Sequence, residues 1–391
     1  MAARTFESRR FVTWLLVAGC GAVLACWIDV FVEPRLAMPS YLVAFVYWAS
    51  ILLGSLGWLM SFHASKSRWI VAVRRPLEAM AVTSAPLLLL FAPIGARLSW
   101  LYEWVHPAPH PAEQDALLAF QRGYLNAPFF LLRTLFYFVV WFLFGAFLWR
   151  WTRKQDETSA TELTAKPRGL SGWGLVVLVF TGTFASFDWI MSLEPAWHST
   201  MIGFYYLSGA MAGSIALLIL LISQADGRGL LGVELLPAHY HNLGKLLFTF
   251  VCFWAYVAFC QYLLIWVGNV PDEITWVVER TDRGWKWVAI ALVLFHFALP
   301  FLILLSKDVK RRRPLVAAMS AWILVAHYVD VYWLVMPRLY PAAPQPRWTD
   351  VVAFLGMGGI VVGWAGWRLL GAPIVPVGDP YLAESLRYDR S

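Results

Sequence analysis

The sequence predicts an all-α membrane protein with about ten transmembrane helices. Two observations carry that fold class. Of the 391 residues, 60% are hydrophobic and only 14% are charged, whereas soluble globular domains carry about 25% charged residues. The apolar residues also gather into successive runs close to the roughly 20 residues that a helix needs to cross a bilayer. The aromatic residues, 16% of the chain, fit interfacial belts, and part of them could wall a pocket for a flat hydrophobic ring.

The runs fall at about 11–31, 40–62, 76–96, 127–149, 172–192, 199–223, 243–267, 285–306, 315–337 and 348–370. The first follows Arg9 and Arg10 as a signal peptide would. It is too long for one and no small-residue cleavage site follows, so it reads as a retained helix. The third contains Pro76, Pro86 and Pro93, which a spanning helix tolerates where neighbouring groups satisfy the freed carbonyls. The fifth ends "FDWIMSLEP" (187–195) and the ninth "VDVYWLVMP" (329–337), each with an aspartate ahead of a proline at one spacing: Asp188 with Pro195, Asp330 with Pro337. Two exits of one kind, four spans apart and running the same way, predict a parallel repeat about an axis along the membrane normal. The expected organisation is one integral membrane domain, 1–391. It comprises two parallel four-helix bundles (spans 2–5, residues 40–192, and spans 6–9, residues 199–337), two peripheral helices and a cytoplasmic tail, 371–391.

Charge sets the orientation. With the N-terminus inside, 21 of the 31 Lys and Arg residues fall on inner segments and 8 on outer ones, Arg133 and Lys245 lying near or within spans. That excess puts both termini in the cytoplasm. The net charge of +7 thus follows topology, and because the basic residues are spread over several loops, nucleic acid is excluded as a partner. Cys20, Cys26, Cys252 and Cys260 all fall in spans and form no C-x-x-C or haem-attachment pattern, so iron–sulfur clusters or c-type haem would sit on another chain. No phosphate-cradling loop, H-E-x-x-H or nucleophile elbow occurs. The outer segments 97–126 and 268–284 are long, the second with Asp272, Glu273, Glu279 and Asp282 against Arg280 and Arg283. They read equally as a docking face or a cap over the bundles, and the inner segment 152–170 reads as a solvated linker.

Ionisable residues in spans are expensive and mark functional sites by default. At about 1.5 Å per residue, Arg133 and Asp188 come to similar depths on consecutive antiparallel helices. They are expected to pair, either as a lock between helices or as a proton acceptor with its counter-ion. Tyr137 shares the face of Arg133. In the second half, His296 faces His327 and Asp330, which share a helix face. These fit a proton relay, a satisfied core contact or, less readily, two haem ligands. At the inner face, His239, His241 and Lys245 open one span, and Arg74, Arg75 and Glu78 another. Glu78 and Lys245 reach deepest and are the expected proton entrance, although anchoring and capping would account for most of that cluster.

Several longer motifs, "YLN.PFF..R" (124–133), "FDW.MSLEP.W.ST" (187–200), "YH.LGKL.F" (240–248), "FWAY..F.QYLLIW..N.P.E" (253–273) and "DP.L.ESL.Y" (379–388), together resemble the ActF-type subunit of bacterial alternative complex III, an NrfD/PsrC-like integral membrane protein. The resemblance implies ten helices in two bundles. It also implies a bacterial inner-membrane complex that oxidises menaquinol or ubiquinol, with iron–sulfur clusters and c-type haems on companion subunits. The expected partners are an iron–sulfur protein, a multihaem cytochrome c, a second NrfD-like subunit and the lipid bilayer. No metal is expected in this chain. Carried onto these residues, it makes Asp188 the acid of a quinol-type pocket with Arg133, Tyr137 and Trp189, and Glu78, His241, Lys245, His296, His327 and Asp330 the proton-path candidates. A passive anchor for a molybdenum or hydrogenase-type enzyme is the alternative, and a secondary transporter fits less well.

Overall fold

The computed structural model describes residues 4–105 and 119–388, and the side chain of Asp272 is not among those described. The stretch 106–118 of the outer segment 97–126 and the tail residue Arg390 therefore lie outside the described residues. Among the described residues nine helices are long and apolar enough to cross a membrane. They are α1 (Arg9–Val32), α2 (Pro34–Ala64), α5 (Ala127–Thr158), α6 (Ala165–Trp189), α7 (Met201–Gly227), α8 (Pro237–Gly268), α10 (Trp285–Leu305), α12 (Arg313–Leu339) and α13 (Trp348–Leu369). Proline lies in the first turn of α2, α5, α8 and α12, where its missing N–H costs nothing.

The third expected span is instead two short helices, α3 (Arg75–Met80) and α4 (Ser84–Ala96). The break lies just ahead of Pro86, which has no N–H for the Val82 carbonyl, while α4 continues through Pro93. The carbonyls at the break are satisfied as non-helical backbone at membrane depth requires: Thr83 Oγ1 donates to Met80 O (2.7 Å) and Trp364 Nε1 to Val82 O (3.1 Å). Gly145 of α5 lies against the break so closely that a Cβ there would stand 2.0 Å from Ala81 O.

Helix α2 is the centre of the molecule, with its most apolar stretch buried throughout. It packs against α4 and α6 from the first half and against α7, α12 and α13 from the second. Within each half the helices also touch one another: α5 meets α4 and α6, and α8 meets α7, α10, the short α11 (Lys307–Arg311) and α12. Where α2 crosses α7, a Cβ on Gly54 would lie 2.0 Å from Ala210 O, so the backbones touch. The outermost helices α1 and α13 pair through Gly19, Gly356 and Gly359, the small-residue contact typical of helices in lipid.

Contacts gather both chain ends onto one face. Phe6 N donates to Ala372 O and Gly371 N to Phe6 O, and Arg4 Nη1 reaches Gly229 O. The expected tail is folded there over its described residues: Ser385 accepts from Ala72 N, donates to Trp69 O and offers its carbonyl to His239 Nε2. Residues 152–170, read as a solvated linker, are largely structured. Helix α5 runs on to Thr158, with Thr152 and Gln155 buried beneath the tail at Gly378. On the opposite face lies α9 (Pro271–Thr281). Its buried Arg280 donates to Glu194 Oε1 (2.7 Å) and Leu334 O (2.8 Å), and Trp276 stacks on Trp197. Arg338 bridges Glu103 (2.6 Å) and Glu279 (3.3 Å). Part of the acidic charge of segment 268–284 is thus turned inward, as a cap requires.

Candidate functional site: two buried aspartates

Asp188 is fully buried one residue before the end of α6. Arg133, one turn and a half into α5, meets it with two parallel bonds, Nε to Oδ2 (2.9 Å) and Nη2 to Oδ1 (2.8 Å). Tyr137, one turn further along, donates to Oδ2 (2.7 Å). The remaining arm of the fork, Nη1, donates to Tyr124 O (2.8 Å), and the guanidinium lies over the Tyr124 and Phe129 rings. Arg133 is held on this face because Asn126 caps α5, its Oδ1 accepting from Phe129 N (3.0 Å). The forked pairing joins charge to geometry. Trp189, the other residue named for a pocket at this acid, is fully buried between Phe45, Phe138 and Trp141, its indole N–H on Thr134 Oγ1 (3.3 Å). Tyr137 is buried as well. The sequence reading brought Arg133, Tyr137 and Asp188 together; aromatic side chains pack against Tyr137, and a recess opens beside Tyr124 and Ser192.

Asp330 is equally buried but has different company. It lies within α12, which continues through Pro337, whereas α6 ends just after Asp188. The two exits therefore diverge despite their matching residues. Tyr205 of α7 donates its hydroxyl to Oδ1 (2.6 Å) and Trp254 of α8 its indole N–H to Oδ2 (3.0 Å). No Lys or Arg forms an ion pair with this carboxyl among the described residues. His327 Nδ1 is 4.0 Å from Oδ2, and its Nε2 meets Ser50 Oγ of α2 (2.8 Å).

His296 completes the group. It is fully buried, its ring centroid 4.0 Å from that of Trp254, and neither ring nitrogen has a hydrogen-bond partner among the described residues. It sits in a π-helical stretch, Leu292–Ala298, just before Pro300, which has no N–H for the His296 carbonyl and would crowd it. A wider turn relieves both problems, and such turns recur at functional sites. The expected trio of His296, His327 and Asp330 is thus assembled around Trp254, whose role the sequence reading missed along with that of Tyr205. Each is one aromatic in an apolar run and carries no signal apart from its neighbours.

A cleft of about 800 Å3 opens beside this second group. Tyr205, Trp254, Gln261, Trp276, Arg280 and Phe297 are among its walls, which are mostly apolar. It is bounded by α7, α8, α9, α10 and α12, with no residue from α5 or α6.

The inner candidates do not converge. Glu78 is buried between Arg74 (2.6 Å) and Arg75 (2.8 Å), which continue to Asp379 (3.0 Å) and Asp156 (2.6 Å). Lys245 is exposed on α8 near His241, on a different helix from this network. The network itself ties α3, α5 and the tail together.

No protein-family model matches the chain, and no curated protein matches it.

Proposed function

We propose that this chain is the proton-carrying membrane subunit of a respiratory quinol:acceptor oxidoreductase of the alternative complex III type. It would lie in a bacterial inner membrane with both termini cytoplasmic. Quinol oxidation releases protons and electrons in equal number. In this reading the electrons leave through an iron–sulfur protein and a multihaem cytochrome c, with a second NrfD-like subunit alongside, and this chain handles protons.

The observation that carries the reading is the contrast between the two aspartates. Asp188 is bound by a forked arginine, which ties the acid into the frame between α5 and α6. Asp330 is held by a hydroxyl and an indole N–H alone. A carboxyl with neutral donors has no cation opposing its protonation. Beside it stand His327, and His296 with two unpartnered nitrogens. These are groups that pass a proton between positions a few ångströms apart. The adjoining cleft, with Tyr205 and Trp254 shared between its wall and the carboxyl, would admit a lipid-soluble ring near Asp330. This moves the expected quinol-type pocket from Asp188 to the second half.

Purification through this chain is expected to bring c-type haem, a large iron–sulfur subunit and a second ten-helix chain. A single catalytic enzyme would instead favour the passive anchor, and a chain alone without cofactor would favour a transporter. In the intact complex, Asp330→Asn is expected to lower quinol-dependent turnover or its coupled proton release by about a hundredfold or more, with assembly unchanged. Unaltered rate and stoichiometry would remove Asp330 from the path.

A further inference from the structure

A second pocket, about 260 Å3, lies on the face that carries both chain ends. It forms where the end of α2, the segment 65–74, the turn Thr161–Thr164 with the start of α6, and the tail near Asp379 meet. Its polar walls set it apart from the cleft beside Asp330. Lys66, Arg68, Arg74 and Arg168 line it against one acid, Asp379.

Two of these cations are already engaged. Arg74 binds Glu78 and Asp379, and Arg68 binds Glu384 (2.9 Å) while lying over the Tyr381 ring. Lys66 and Arg168 form no ion pair among the described residues. In the same wall, His63 Nε2 is buried and has no partner among the described residues. Lys66 closes α2 with φ 54°, and Ser67 N donates back to Phe62 O (3.0 Å). That turn ordinarily takes glycine at the left-handed position, and here it holds a cation at the mouth of the pocket.

Below the mouth, the exposed face of α6 continues from Arg168 through Val176 to Phe180, with Trp173 beside them; these three apolar side chains are 56%, 61% and 58% exposed in that order. A cationic, hydroxyl-lined recess at the end of two spans, continuous with an apolar track along one of them, matches an amphiphile with an anionic head. We propose that the pocket binds the phosphate head group of an anionic phospholipid, with its acyl chains lying along α6. Basic recesses between helix ends at a basic membrane face are suited to such heads. The apolar track is the reason to assign lipid in preference to free phosphate.

The test uses the full chain in neutral detergent, measuring the rise of its thermal unfolding midpoint on titration with phosphatidylglycerol, phosphatidylcholine or inorganic phosphate. Phosphatidylglycerol is expected to raise the midpoint saturably, and the other two far less. Lys66→Ala with Arg168→Ala, two exposed positions, should raise the half-saturating lipid concentration roughly tenfold to thirtyfold, as two interfacial charges imply. Lys307→Ala with Arg312→Ala removes equal charge elsewhere on this face and should leave it nearly unchanged. An equal response to inorganic phosphate would overturn the assignment to lipid. Equal responses to the two lipids, or an equal loss in the two double variants, would reduce the effect to surface charge and overturn the site.

Discussion

Replacing Arg133 with methionine keeps the apolar stem and removes the fork. Asp188 then keeps the Tyr137 hydroxyl on Oδ2, and Oδ1 loses both of its arginine bonds, from Nη2 (2.8 Å) and Nε (3.2 Å). The carboxyl is fully buried and the arginine nearly so, and removing one member of such a pair costs about 3–5 kcal/mol because a charge is left uncompensated. Arg133→Met/Asp188→Asn leaves no stranded charge. It is expected to be the more stable of the two variants despite carrying an extra substitution, with a coupling energy of about 2–3 kcal/mol. Reversible unfolding in mixed micelles of increasing dodecyl sulfate, followed by tryptophan fluorescence, measures all four corners of the cycle. Trp189 and Trp141, packed beside Tyr137, make the signal local as well as global. A cost below about 1 kcal/mol for Arg133→Met, additive with Asp188→Asn, would mean that water reaches the acid, and would refute its description as a sealed ion pair.

Two further predictions concern packing and pH. Gly54→Ala puts a methyl group into Ala210 O at the α2–α7 crossing, so the helices must separate. A loss of about 1–3 kcal/mol is expected in the same unfolding assay, and a neutral result would show that the crossing yields without cost. Glu279, on α9 outside the spans, has its carboxyl held above the usual value by burial, with Glu194 adding to this against Arg338 and Arg280; its Oε2 has no partner. A raised acid is bound more tightly to its proton in the folded state, so its stabilising contribution is present below the ordinary glutamate pKa and lost as pH rises through the folded value. Glu279→Gln should therefore flatten the decline in stability from about pH 4.5 upward. An unchanged pH profile would show that Arg338 compensates the carboxylate fully.

Much of this molecule can be read without its structure, because the bilayer leaves few choices. Backbone groups have no water to bond in lipid, so every long apolar run must be a helix; nine of the ten expected spans are single long helices. The Arg133–Asp188 pair was legible too, since consecutive antiparallel helices share depth and the two residues stand at similar depths in the expected spans 127–149 and 172–192. The broken third span was only half legible: three prolines warned of it, but whether the freed carbonyls find donors depended on Thr83 and on Trp364, far away in the chain.

Asp188 and Asp330 look alike in sequence, with the same residue at the same distance from a proline. Their difference comes from α5 in one case and from α7 and α8 in the other. The Tyr205 and Trp254 side chains reach Asp330 across 125 and 76 positions of chain, and nothing local to any of the three announces the contact. The tail is a similar case: its own residues do not announce that Ser385 and Asp379 meet Trp69, Ala72 and Arg74. Hydropathy is a property of a stretch and survives without neighbours. The partner that sets the chemistry of a buried acid is a property of helix crossings, and those arise only when all the helices pack at once.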